Sequence, residues 1–159
     1  MFGGSGPAAA LGDTWVYVPS SPATATQFGN GCGNPALALS PDGSAPPTIG
    51  TTAKALLTNL PSPLAFMAIG SSNTTAGAIP LPIPLDAYGM IGCFLNQSTE
   101  VIGLGTSSTA PGIATYALPL PLMATLIGQH SYLQGYAFAP GMNPANIILS
   151  NGLDWQIGF

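Results

Sequence analysis

Charge is what this sequence has least of. Its 159 residues include no arginine, one lysine (Lys54), one histidine (His130) and five acids, Asp13, Asp42, Asp86, Glu100 and Asp154. Charged residues make up 4% of the chain, against about 25% in an ordinary soluble domain. A surface laced with salt bridges is therefore excluded. Nucleic acid is excluded as a partner, because neutralising a phosphate backbone requires a basic stripe. Binding to an anionic membrane surface fails on the same ground, since no basic amphipathic face can be drawn.

Long uninterrupted apolar runs are also missing. The richest, "AIPLPIPLDAYGMIGCFL", is broken by Pro80, Pro82, Pro84 and Asp86, which excludes a spanning helix and with it membrane insertion. The start, "MFGGSGPAAALGDTW", has neither the basic lead nor the long apolar stretch of an export signal. Either such a signal is removed ahead of this numbering or the chain is cytosolic. Cysteine is scarce as well. Cys32 and Cys93, with a single histidine, are too few for a structural zinc site, and no Cys-x-x-C spacing occurs. That leaves a disulfide or two buried free thiols. A disulfide closing so long a loop would stabilise the fold by roughly 4 kcal/mol and would place the chain in an oxidising compartment, hence exported.

What the sequence does have is apolar bulk and punctuation. Hydrophobic residues are 47% of the chain, enough to drive collapse, and 21 glycines and 17 prolines are spread along it. An interior proline costs a helix about 3 kcal/mol, so long helices are not expected. Between these breaks lie short β-branched, aromatic and aliphatic runs at 14–18, 36–39, 52–58, 64–69, 93–97, 100–104, 113–118, 130–138, 146–149 and 153–157. They predict an all-β fold, an antiparallel β-sandwich of Ig-like or jelly-roll-like type with about 8–10 short strands and one disulfide. One helical turn fits, at "LMATLI", residues 122–127. In "TAKALLT" Ala53, Ala55 and Leu57 form an apolar face opposite Thr52, Lys54, Leu56 and Thr58. In "HSYLQGYAF" the bulky set His130, Tyr132, Gln134, Tyr136 and Phe138 opposes Ser131, Leu133, Gly135 and Ala137, and the pattern leaves open which set is buried.

Residues 1–26 read as an N-terminal arm. Its one strand, Thr14, Trp15, Val16, Tyr17 and Val18, precedes the Pro/Ser/Thr stretch "PSSPATATQ", which reads as an extended linker. Residues 27–159 read as the sandwich domain.

A series of motifs runs through that domain: "GNGCGNPALAL", "TNLPSPLAFMAIG", "IPLPIPLDAYGMIGCFL", "LPLPLMATLIGQHSYLQGYAF" and "NIILSNGLDWQIG". Their order, with a cysteine in the first and third, resembles a domain found at the C-terminus of secreted multidomain proteins of planctomycete-type bacteria. The resemblance spans about residues 27–159. It implies an extracellular β-sandwich with Cys32 bonded to Cys93, and it brings no activity and no catalytic residues. The chain departs from the pattern in its lower charge and in having Ala139-Pro140 where an acidic residue and proline are common.

Sites for chemistry are few. The carboxylates are single and scattered, and His130 falls within a strand, where it reads as a hydrogen-bonded structural residue rather than a general base. No Gly-x-Ser-x-Gly elbow occurs. "GLGTSS", residues 103–108, lacks the Lys of a phosphate loop and reads as a hairpin turn. "PDGS", residues 41–44, offers one carboxylate where calcium needs an oxygen cage, and reads as a turn. No catalytic, cofactor-binding or metal-ligating residue is assigned, and the chain is not expected to be an enzyme. Asn73-Thr74-Thr75 and Asn96-Gln97-Ser98 match the glycosylation acceptor pattern, and "SSNTT" and "TSST" offer hydroxyls for O-linked sugar. Trp15, Tyr17, Trp155, Tyr132 and Tyr136 are the aromatics available for stacking on a sugar.

A surface of uncharged small and polar residues, with a net charge of −4, does little to keep copies apart. The reading is a non-enzymatic extracellular structural protein whose partner is itself, a subunit of a fibre or surface layer. The arm's strand adds to a neighbour's sheet, and bound or covalent glycans hydrate the surface. The alternative is a secreted carbohydrate-binding or adhesion module.

Overall fold

A computed structural model describes residues 21–105 and 107–159 of the chain. The predicted arm strand, residues 14–18, lies outside them. The described residues form short strands: β1 (Thr24–Phe28), β2 (Ala38–Pro41), β3 (Thr52–Thr58), β4 (Ala65–Gly70), β5 (Thr75–Ala76), β6 (Ile79–Pro80), β7 (Ile83–Pro84), β8 (Phe94–Leu95), β9 (Val101–Gly105), β10 (Ser107–Ala110), β11 (Ile113–Pro119), β12 (His130–Phe138) and β13 (Ile147–Gln156). Two 3-10 turns, Asp86–Tyr88 and Ala124–Leu126, are the helical segments among them, the second where sequence predicts one.

Two antiparallel sheets make a sandwich, as predicted. One has the order β1-β13-β12-β4-β9 and the other β10-β11-β3-β2. The "TAKALLT" pattern turns Ala53, Ala55 and Leu57 inward from β3 and leaves Lys54 exposed. In β12 the small set proves to be the inner one. Leu133 and Ala137 join the core, and Gly135 lies so close to the Leu57 side chain that any Cβ there would collide with it. The bulky set His130, Tyr132, Gln134, Tyr136 and Phe138 therefore stands on the outer face. Leu39, Leu57, Met67, Leu133, Leu153 and Trp155 fill the space between the sheets, each aliphatic side chain worth roughly 1.5–3 kcal/mol on burial.

Three local expectations are corrected. Of the stretch read as an extended linker, residues 24–27 belong to strand β1, paired with β13 from Thr24↔Gln156 to Phe28↔Gly152, so the sandwich takes in the end of the stretch assigned to the arm. Thr and Gln side chains suit a solvent-facing edge as well as a tether, which is why composition did not separate the two. Residues 146–149 and 153–157, predicted as two strands, are one strand with a bulge, where pairing passes from Gln134↔Gly152 to Tyr136↔Leu149. "SNG" reads as a turn because Ser, Asn and Gly favour turns, but here a bulge accommodates it. Of residues 93–97 only Phe94–Leu95 is strand, paired with Ile83–Pro84.

Cys32 and Cys93 form the disulfide, their Cα atoms 5.1 Å apart. Such a bond belongs to an oxidising, extracellular type of environment. Among the described residues no helix is long and apolar enough to cross a membrane.

Candidate functional site

Six polar side chains, Asn96, Gln97, Ser98, Gln134, Ser150 and Asn151, are buried among the described residues, where local sequence offers no reason for them to be. In β13 the bulge turns Asn151 toward the other sheet, and its amide meets the backbone of Leu39 in edge strand β2. Oδ1 accepts from the Leu39 N–H at 2.8 Å and Nδ2 donates to the Leu39 C=O at 2.9 Å. Gln27 of β1 donates to the same carbonyl at 2.5 Å. Ser150 accepts from the Gly135 N–H at 2.8 Å and donates to the Asn151 carbonyl at 2.6 Å. Buried amides left unpaired cost about 1–3 kcal/mol each, so this set closes the flank of the sandwich formed by β1, β13 and β2.

On the outer face of the five-stranded sheet, Gln134 holds down a second piece of chain. Its Oε1 accepts from the Asn96 N–H at 3.0 Å, and its Nε2 donates to the carbonyls of Phe94 at 2.9 Å and Ser150 at 2.8 Å. Gln97 donates to the Ala68 carbonyl at 2.9 Å. Residues 93–98 thus cross the sheet from the disulfide, beside β1 and β13, to β4. Gly89 and Gly92, both at positive φ (79° and 71°), turn the chain before Cys93 as glycine alone does readily. At the far end Ser98 Oγ accepts from the N–H groups of Ser71 and Ser72. Glu100 accepts from the Ser71 hydroxyl at 2.8 Å and the Ser98 hydroxyl at 3.0 Å. Desolvation pushes the Glu100 carboxyl up, but the hydrogen bonds from Ser71 and Ser98 outweigh it and the group sits below its ordinary value.

This crossing divides the outer face into two surfaces. On one side His130 Nδ1 pairs with Asp154 Oδ1 at 2.8 Å, the imidazole stacks on Tyr132 with centroids 6.1 Å apart, and Tyr132 meets the Phe28 ring edge-on at 5.9 Å. Burial and the Asp154 charge raise the Tyr132 phenol. On the other side Leu64, Phe66, Ile102, Tyr136, Ala137, Phe138 and Ile147 line an apolar cleft of about 250 Å³. Ile102 is 64% exposed, Leu64 49%, Phe138 42% and Phe66 38%. Burial raises the Tyr136 phenol to about 12.

The residues singled out in the sequence are thus dispersed. Cys32 and Cys93 come together as predicted. Thr14, Trp15, Val16, Tyr17 and Val18 lie outside the described residues. Asn96 is buried, its Nδ2 3.4 Å from the Phe94 carbonyl and 3.5 Å from that of Asn30. Its triplet is therefore a structural feature of the crossing, where a sugar would have no room. Asn73 is half-buried. Trp155 is a core residue stacked on Tyr116 with centroids 6.4 Å apart, so it is not part of any sugar platform. Tyr132 and Tyr136 stand on opposite sides of the crossing. No group of three or more His, Cys, Asp or Glu that could hold a metal ion occurs among the described residues.

Sequence reasoning missed the cleft. The signal was the bulky side of β12, but whether that side faced core or solvent depended on Gly135, whose missing side chain admits Leu57. Of the residues in the ordered motifs, Cys32, Cys93, Gln134, Ser150 and Asn151 lie in or beside the buried polar hydrogen bonds. Comparison with models of known protein families, with curated proteins and with solved structures finds no match to this chain. The resemblance to the planctomycete-type domain rests on those motifs alone.

Proposed function

We propose that the protein is a non-enzymatic, exported structural subunit that assembles with copies of itself into a fibre or surface layer, using its N-terminal strand. The observation that carries this reading is the apolar cleft. Soluble monomers rarely expose a contiguous group of large apolar side chains, and such groups mark interaction surfaces. Leu64, Phe66, Ile102, Phe138 and Ile147 make one here, on a chain with a single lysine and no arginine to offset it. At about 250 Å³ the cleft falls below the roughly 300–1,000 Å³ of typical small-molecule sites. The Tyr136 hydroxyl is the one polar side-chain group in its lining, so it suits a protein side chain better than a soluble polar ligand. The disulfide supports export, and glycans on exposed Ser and Thr would hydrate the remaining surface.

Electron microscopy and light scattering of the purified full chain test this. Regular polymers support it, and monomers dispersed at high concentration overturn it.

A second reading has its own observation. Phe28, Tyr132 and His130 present aromatic faces beside Asp154 and Gln156, the combination that stacks on and hydrogen-bonds to a sugar. Glycan-array binding that is lost in Tyr132→Ala would favour a carbohydrate-binding or adhesion module.

A further inference from the structure

We infer that the acceptor for the donated N-terminal strand is the free edge of β9 together with the apolar cleft, and that it is filled by residues 14–18 of a neighbouring copy. The inference rests on the self-assembly reading above and assigns its docking site.

The edges of the two sheets are not equivalent. Sheet edges attract foreign strands unless they are blocked. On the β1/β2 flank, Asn151 and Gln27 occupy the outward N–H and C=O of Leu39, so edge strand β2 is engaged from within at that residue. On the other flank β9 pairs with β4, and among the described residues no strand lies beyond it. Its Val101 and Ile102 are exposed, and Ile102 also lines the cleft. A strand added beside β9 would therefore gain main-chain hydrogen bonds and could place alternate side chains toward the cleft, the usual division of labour in strand addition.

The occupant follows from chemistry and reach. Added to a sheet as a strand, residues 14–18 would carry Trp15 and Tyr17 on one face. Two aromatics on one face match a cleft walled by Phe66, Tyr136 and Phe138. The chain's own arm is too short to lie along β9. Ser21 lies beside Phe159, its carbonyl accepting from the Phe159 N–H, at the end of the sheet where Thr24, Gln156 and His130 are in register. The cleft begins at Tyr136, about 20 Å further along β12 at about 3.3 Å per residue, and two strand spacings across, about 10 Å. The acceptor edge itself, β9, lies four strand spacings from β1, about 19 Å across. Val18 precedes Ser21 by three residues, which extend at most about 11 Å, so a strand ending at Val18 and lying along β9 comes from another molecule.

The test uses full-length chains. Ile102→Lys changes an exposed residue of the cleft, and Phe138→Ser is a second cleft variant. Trp15→Asp/Tyr17→Asp disables the arm. Each is checked for native circular dichroism and the intact disulfide, then followed by light scattering and electron microscopy. The expected result is that the unmodified chain polymerises while each variant alone stays monomeric. A cleft variant mixed with the arm variant should stop at twice the subunit mass, because only one intact arm and one intact cleft are left to meet. If the cleft variants polymerise like the parent and the arm variant does not, the arm docks elsewhere and this assignment falls while arm-driven assembly stands. If the arm variant forms a cleft-dependent dimer that does not grow, the cleft takes another copy's cleft, and if it polymerises like the parent, assembly does not use the arm; either result overturns the assignment. If the parent chain never assembles, both readings fail.

Discussion

Asn151 pairs with Leu39 as a neighbouring strand would, its side-chain oxygen and nitrogen lying 2.8 and 2.9 Å from the Leu39 N–H and C=O. One side chain thereby joins the two sheets at an edge. Asn151→Leu should orphan the Leu39 N–H at a buried position, at about 1–3 kcal/mol, while the Leu39 C=O keeps its bond from Gln27. Asn151→Asp should also destabilise, since a carboxylate cannot donate to the Leu39 carbonyl. Urea unfolding of the two variants checks both, and an unchanged midpoint in either would refute the role.

Gln134 should control the crossing segment rather than the sandwich as a whole. Gln134→Met keeps the volume but removes three hydrogen bonds. The expected outcome is faster amide exchange at residues 94–98 well before global opening, read by hydrogen-exchange mass spectrometry, with β3 and β11 remaining protected.

Removing the disulfide by Cys32→Ser/Cys93→Ser should lower stability by up to roughly 4 kcal/mol, given the sequence separation of 61. Thermal unfolding measures the loss. The native parent chain should show no thiol to an alkylating reagent.

Stability should fall at both ends of the pH scale for identifiable reasons. The Glu100 carboxyl is held below its ordinary value in the fold, so its contribution is present above the unfolded value of 4.5 and is lost as pH drops through the lower folded value. Glu100→Gln should flatten that acid limb. Tyr136 is raised from 10 to about 12 by burial. The fold therefore favours the neutral phenol, and stability declines as pH rises from 10 towards 12. Tyr136→Phe should remove that part of the alkaline limb. Denaturant midpoints across pH read both.

Deleting residues 1–20, rather than the whole stretch read as an arm, should leave a folded sandwich that no longer polymerises, because β1 is kept. A cut after residue 26 would remove Thr24, Ala25 and Thr26 of the pairing with β13 and should lower the thermal midpoint as well. The contrast between the two truncations separates assembly from folding.

How far the sequence could be read depended on whether a side chain's role was local. Strands β3 and β12 were legible to the residue, because alternation and flanking breaks define them without reference to anything distant. The disulfide partners were legible because Cys32 and Cys93 are the two cysteines of the chain, while the choice between a bond and two buried thiols is decided by the structure. Strand β1 was not, since its identity comes from β13, more than a hundred residues away. Asn151 and Gln134 were not either. Asn and Gln are ordinary surface residues until a bulge or a crossing segment buries them, and neither feature leaves a local periodic signal. The cleft was hidden for the same reason, because the outward turn of Tyr136 and Phe138 is decided by the fit of Gly135 against Leu57.

If the arm of one copy docks beside β9 of the next, the molecule has a direction. Were two clefts to close on each other, both would be used up and growth would end at a pair. A borrowed strand fills one vacancy and brings the next along with its owner, so a row of such subunits would be polar, with an unfilled cleft at one tip and an idle arm at the other, and would lengthen without branching.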